Sequence, residues 1–278
     1  MRGIVAASCL CALALLATGC GERAEPTGSS VRIYPVSVQG ASGPPTVLDR
    51  APRRILAVGR DMVTTLRALG VRRRVVAATN DEVPDRRFDI ALAWASSDAA
   101  TALLHRRLDV PEYIAADVSV PAVERALADL GVLVGRPLNA RAAVAGIEER
   151  RQRVAQRLAG RRPVTVFLDT GFFTTVSDRT IQGDIIAEAG GQNVGGAAPE
   201  AGPFDPRQLV KINPRFYLAT SDSGTTLEGL RRNPRTRRLT AVRAGRFAVI
   251  PAELLEPGPH VGGGIAAIAR VLHPDAFR

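Results

Sequence analysis

Cysteine is nearly absent from this chain, and lysine more so. The three cysteines, Cys9, Cys11 and Cys20, all fall within the first twenty of 278 residues. No disulfide and no cysteine-ligated metal site can therefore form within the rest of the chain. There is one lysine, Lys211, against 36 arginines. Aromatic residues make up 4%, with a single tryptophan, and there are three histidines. His105, His260 and His273 fall in a helical segment, a loop and a terminal Leu-His-Pro, so they do not converge as a bare-metal site requires. No Gly-x-Ser-x-Gly elbow occurs, and no Gly-x-Gly-x-x-Gly follows the first strand, so the usual hydrolase and dinucleotide fingerprints are missing. No apolar run approaches 18 residues, so no membrane-spanning helix is expected.

What is present fits a globular chain: 46% hydrophobic and 23% charged residues, with a net charge of +10. The charge raises nucleic acid as a partner. The arginines, however, are spread over helix faces and strand flanks without interleaved aromatics, so none is expected. The N-terminus reads as an address. Arg2 precedes a 14-residue apolar run, Ile4 to Ala17, which ends in Leu16-Ala17-Thr18-Gly19-Cys20. Small residues before a cysteine resemble a bacterial lipobox, which implies removal of residues 1–19, lipidation of Cys20, export, and anchoring at the cell membrane on its periplasmic or outer face. Ordinary cleavage after a small residue is the alternative. Gly21 to Ser30 (GERAEPTGSS) is polar and reads as a flexible tether.

Beyond Arg53 short apolar runs alternate with helical patterns. Strands are predicted at 53–58, 75–78, 90–94 and 113–115. A helix is expected through Met62, Thr65, Leu66 and Leu69, a second from Ser96 to Arg107, and a third from Ser119. A long helix over 139–158 interrupts the rhythm, with Val144, Ile147, Val154 and Leu158 on one side. The alternation then resumes, with strands at 164–168, 216–219 and 246–250. Helices are expected over 180–189, 225–231, 237–242 and 265–272. The fold class is α/β: two Rossmann-like lobes with parallel sheets, joined by one long backbone helix, with a ligand cleft between them. The division is a signal peptide over 1–19, lipidated cysteine and tether over 20–45, an N-terminal lobe over 46–138, the connecting helix over 139–160, and a C-terminal lobe over 161–278. Gly262-Gly263-Gly264 reads as a site of close helix packing.

Three segments carry a family resemblance: APRRILAVGRDMVTTLRALGVRRRVVAATN (51–80), IQGDIIAEAGGQNV (181–194) and NPRTRRLTAVRAGRFAVIP (233–251), the last followed by PGPH (257–260) and LHP (272–274). In this order they resemble the helical-backbone solute-binding proteins of ABC importers, the class that carries iron-siderophores, haem and cobalamin. The resemblance implies a monomeric, non-enzymatic protein without a resident cofactor. It would capture a small chelate and deliver it to a permease and its ATPase. It also implies an acid on each lobe for docking on the permease. In the second lobe this position is Asp184; in the first it falls on Thr64, with Asp61 as a nearby substitute. The first lobe is also shorter than in such proteins after its second strand. A solute-binding fold that has lost transport and acts as a sensor or relay is therefore the alternative.

Loops after the strands supply the expected ligand contacts: Arg60, Trp94 and Ser97 in the first lobe, and Phe172, Phe173, Arg179, Ser221 and His260 in the second. Aromatic faces suit a planar or macrocyclic ligand, and guanidinium forks suit carboxylate or catecholate oxygens. No metal ligands are expected. Few tyrosines, Tyr34, Tyr113 and Tyr217, argue against tyrosine-ligated haem.

Overall fold

The computed structural model describes residues 33–78, 87–96, 109–197 and 202–278. Cys20, Ser97 and nearly all of the helix expected over 96–107 lie outside the described residues. Ile33–Arg278 is one compact unit.

The first lobe is built on a four-stranded parallel sheet of β3 (Ile55–Val58), β4 (Val75–Ala78), β5 (Ile90–Trp94) and β6 (Glu112–Ala115), ordered β4-β3-β5-β6. Every residue of β3 and β5 is buried, as continuous apolar runs in a doubly covered parallel sheet require. Gly59, at φ 88°, turns the chain from β3 into α1 (Arg60–Ala68). Ser119 caps α2 (Val120–Leu133), its hydroxyl accepting from the Ala122 N–H. The chain joins this lobe earlier than expected. β1 (Val36–Val38) pairs antiparallel with β2 (Thr46–Leu48), and the Ala41 N–H donates to the Ile114 carbonyl on β6. Residues 33–45 are therefore part of the fold rather than of the tether. They are a short hairpin beside β6, too brief to show a period-2 pattern.

The connecting helix α3 (Pro137–Leu158) begins two residues before the sequence boundary. Its 22 residues span about 33 Å. Ala140, Ile147 and Val154 form its buried stripe, with Val144 and Leu158 partly buried against the same core. Its first half belongs to the first lobe, where the Asn139 amide donates to the Leu69 carbonyl. Its second half belongs to the second lobe, where Arg157 donates to the Ala276 carbonyl.

The second lobe repeats the plan. β7 (Val164–Asp169), β9 (Gly191–Asn193), β11 (Phe216–Thr220) and β12 (Phe247–Ile250) form a parallel sheet ordered β12-β11-β7-β9. β8 (Thr174–Thr175) and β10 (Gly202–Pro203) form a small antiparallel pair. The helices are α4 (Ile181–Glu188), α5 (Pro206–Ile212), α6 (Leu227–Arg232), α7 (Thr240–Arg243) and α8 (Val261–Leu272). The glycine run packs as read from the sequence. A Cβ on Gly264 would collide with the Leu254 carbonyl oxygen, and one on Gly262 would sit 3.1 Å from the Ile147 Cα of α3. Among the described residues no helix is long and apolar enough to cross a membrane.

Candidate functional site

In both lobes the carboxyl ends of the strands face the lobe boundary. Asp61 follows β3, Ser96 follows β5, Asp117 follows β6, and Asp222 and Glu256 follow β11 and β12. Three of these, Asp61, Asp117 and Glu256, have carboxyl groups raised above their usual range. Asp61, from the first lobe, and Glu256, from the second, share a hydrogen bond between carboxyl groups. Burial raises Asp61 above its usual range, against the lowering pull of that bond and of Arg60, while Asp117 adds to the rise. Burial, and then the Asp61 charge, push Glu256 up to about 7, with Asp222 adding and Arg60 opposing. Two carboxyls this close cannot both ionise cheaply, so near neutrality they hold a proton between them. Asp117 is 1% exposed. Its Oδ2 accepts from the Ser96 N–H (3.0 Å) and hydroxyl (2.6 Å), tying the ends of β5 and β6 together. Burial raises its carboxyl, and the two Ser96 bonds work against the rise.

The loop after β7 presents an aromatic. Asp169 organises it, accepting from the Tyr217 hydroxyl (2.6 Å), the Thr225 hydroxyl (3.0 Å) and the Gly171 N–H (2.8 Å). Gly171 and Thr174 bridge in antiparallel fashion, so Phe172 (φ 51°) and Phe173 (φ 61°) are the two central residues of a tight turn in the left-handed region. Such turns favour Asn-Gly, and side chains there cost on the order of 1 kcal/mol each. The turn separates the adjacent rings: Phe172 is 97% exposed, and Phe173 folds back onto the cluster of Phe167, Tyr217 and Leu239.

The remaining candidates disperse. Trp94 is 1% exposed and packs in the main core with Leu92, so its ring serves packing rather than an open cleft wall; β5 is buried to its last residue. Arg60 is exposed at the start of α1 beside Asp61. Arg179 is exposed, and its N–H donates to the Ser177 hydroxyl just before α4. Ser221 accepts from the Ala252 N–H and so joins the loops after β11 and β12. His260 is exposed at the start of α8, and its carbonyl accepts from the Gly263 and Gly264 N–H groups. Glu256 and His260 bracket Pro257-Gly258-Pro259. A Cβ on Gly258 (φ 143°) would sit 2.9 Å from the Thr65 hydroxyl of α1, so this loop presses directly on the first lobe.

The two docking positions are also occupied. Thr64 donates to the Arg60 carbonyl within its own helix. Asp61 is turned into the lobe boundary rather than outward. Asp184 is half-buried, and its Oδ2 accepts from the Val120 N–H at 2.7 Å, so an α4 residue of the second lobe serves the first turn of α2 in the first. A charge clamp lies further along α3. Arg151 donates to Glu188 on α4 (2.6 Å) and to Glu124 on α2 (3.0 Å), joining both lobes through the connecting helix. The Glu188 bond, more than any other contact, raises the Arg151 pKa. Asp117 and Glu256 were not predicted. Asp117 follows a strand, the same signal that marks Arg60; Glu256 sits in a proline-rich loop with no motif. Among the described residues no group of three or more His, Cys, Asp or Glu is arranged to hold a metal ion.

Residues 93–254 match the family model described as periplasmic binding protein. No curated protein sequence matches the chain. Solved structures that share its fold include the following three. CeuE of Helicobacter pylori in a Ni-His complex is 17% identical, covering 87% of this chain and 89% of that chain at a TM-score of 0.74. The periplasmic vitamin B12 binding protein BtuF of Vibrio cholerae is 14% identical, covering 82% and 98% at 0.69. A periplasmic heme binding protein from Pseudomonas aeruginosa is 21% identical, covering 80% and 93% at 0.69.

Proposed function

Because the chain belongs to the periplasmic binding protein family, we propose that it is the substrate-binding component of an ABC importer, which captures an iron-siderophore or cobalamin-like chelate between its lobes and delivers it to a permease. In this reading the protein is exported, held at the membrane through lipidated Cys20, and catalyses no reaction. The observation that carries it is the meeting of two sets of strand ends across one helix-spanned boundary. Arg60 and the Asp61–Glu256 pair lie there, and Phe172 stands exposed on a strained turn after a neighbouring strand. An exposed aromatic at such a cost in backbone strain fits a planar or macrocyclic face. Arg179, Ser221 and His260 lie in loops after the second lobe's strands.

Calorimetric titration with a ferric siderophore, cobalamin and haem tests this reading, together with uptake by cells lacking the gene. Micromolar or tighter binding of one of them, with loss of its uptake, is expected. No binding of any of the three, with uptake unchanged, overturns it. Replacing Phe172 by alanine is expected to weaken the bound ligand by more than tenfold, read in the same titration.

The bond from Val120 favours a second reading, a solute-binding fold that senses or relays its ligand without a permease, because Asp184 is already committed between the lobes. Asp184→Asn separates the two. The amide oxygen still accepts from Val120 but offers no charge to a permease arginine. Transport predicts that uptake falls while ligand affinity and melting temperature stay unchanged. Normal uptake assigns Asp184 to the lobe boundary alone.

A further inference from the structure

All strands of the first sheet are parallel, so the residues entering them gather at the end of the lobe away from the cleft. That end is lined with arginine. Arg53 and Arg54 precede β3, Arg72–Arg74 form the turn before β4, and Arg87 comes just before β5. Arg136 occupies the turn between α2 and α3. All are exposed except Arg74, which is half-buried and donates to the Val134 carbonyl at the end of α2. Among the described residues none of these guanidinium groups forms an ion pair. Acids are fewer at this end: Asp89 has one oxygen engaged by the backbone N–H groups of Arg53 (2.6 Å) and Arg54 (2.9 Å), and Asp109 and Glu112 stand at the entry to β6.

Two further features share this end. Leu138, in the first turn of α3 and two residues from Arg136, is 72% exposed. The folded chain also begins here: the Tyr34 hydroxyl donates to the Leu133 carbonyl at 2.8 Å, against the same α2–α3 turn.

We propose that this outer end of the first lobe docks on an anionic lipid surface, with the arginines facing phosphate headgroups and Leu138 entering the interface. Unpaired guanidinium groups suit phosphate oxygens, each basic residue adds to attraction toward a negative leaflet, and a single exposed leucine among them suits a boundary between water and acyl chains. Nucleic acid shares the phosphate chemistry but offers nothing for Leu138. With this end on the membrane and α3 standing away from it, the cleft at the middle of the helix would sit roughly 17 Å above the surface.

The test uses the unit Ile33–Arg278, which contains every described element and its core, so lipidation and ligand capture do not enter the result. Sedimentation with phosphatidylcholine vesicles is compared with and without phosphatidylglycerol. Binding is expected to require phosphatidylglycerol and to weaken steeply with salt. The combined variant Arg53→Glu, Arg72→Glu and Arg73→Glu is expected to bind at least about thirtyfold more weakly, from roughly fivefold per arginine. Reversing Arg161, Arg215 and Arg246, which precede the strands of the second lobe, should change binding by no more than about twofold. Leu138→Cys carrying an environment-sensitive dye should shift to the blue only with phosphatidylglycerol present. Unchanged melting temperatures verify that the variants are folded. Three results overturn the proposal: equal losses from both sets of reversals, no dye shift on bound vesicles, or tighter binding to duplex DNA than to the vesicles at the same salt.

Discussion

The two ends of the first lobe's sheet carry opposite charge and use it differently. At the cleft end Asp61 and Asp117 are withdrawn from water, hydrogen-bonded, and raised in pKa chiefly by burial. At the outer end all the arginines but Arg74 stand in solvent, and among the described residues they form no ion pairs. The parallel topology separates the two sets, because residues leaving the strands face the second lobe and residues entering them face away. A net charge of +10 therefore conceals an acidic seam inside a basic exterior. Composition alone measures only the exterior.

The contrast is tested most severely at Asp117. Replacement by alanine removes the buried carboxylate that accepts both Ser96 bonds, and should cost about 2 kcal/mol in urea unfolding. Asp117→Asn keeps an acceptor and should cost less than half as much. Equal losses would show that the charge, not the hydrogen bonds, matters there.

A smaller effect is expected at the Asp61–Glu256 pair. The folded-state pKa of Glu256 lies above its ordinary 4.5, at about 7, so protonation favours the folded, closed arrangement. This contribution is complete below about pH 4.5 and is lost as pH rises through about 7. Allowing for partial solvent screening, stability should fall by about 1 kcal/mol across that window, measured by unfolding at fixed salt. Glu256→Gln should flatten the profile. A slope that persists in this variant would place the titrating group elsewhere.

The smallest effect belongs to the outer end. Arg72→Gln with Arg73→Gln should change stability by less than about 0.5 kcal/mol, because both side chains are exposed. A loss as large as that of Asp117→Ala would erase the difference between the two ends.

The strands of both sheets were legible where burial on two faces leaves only apolar residues. Val75–Ala78 and Ile90–Trp94 fall within the bounds read from the sequence, and Ser119 and Thr180 cap the helices they were expected to open. Some short elements were not legible: β1, β9 and α5 have three, three and seven residues and are defined by their neighbours, although the equally short α6 and α7 were read within a few residues. Among the candidate site residues, position after a strand was the useful signal, and side-chain direction was the missing one. Trp94 and Arg60 both end strands or follow them, yet one is buried and the other exposed. Phe172 and Phe173 are adjacent and alike, and only the left-handed turn decides that the first points outward. Asp61 and Glu256 are 195 positions apart, a pairing that only the closing of one lobe on the other creates.

The continuous helix α3 makes the two lobes ends of a single stiff lever. Helices curve gently rather than fold at a point, so a change at the cleft is spread along the rod instead of being absorbed in a flexible strand crossing. A bend of about 5° over its roughly 33 Å moves the far end by only ~3 Å. A partner that reads whether the cleft is filled must therefore resolve displacements about the size of one hydrogen bond. Groups already joining the lobes at that scale, such as Asp184 on Val120 and Arg151 on Glu124 and Glu188, are the contacts whose making and breaking such a small stroke can register.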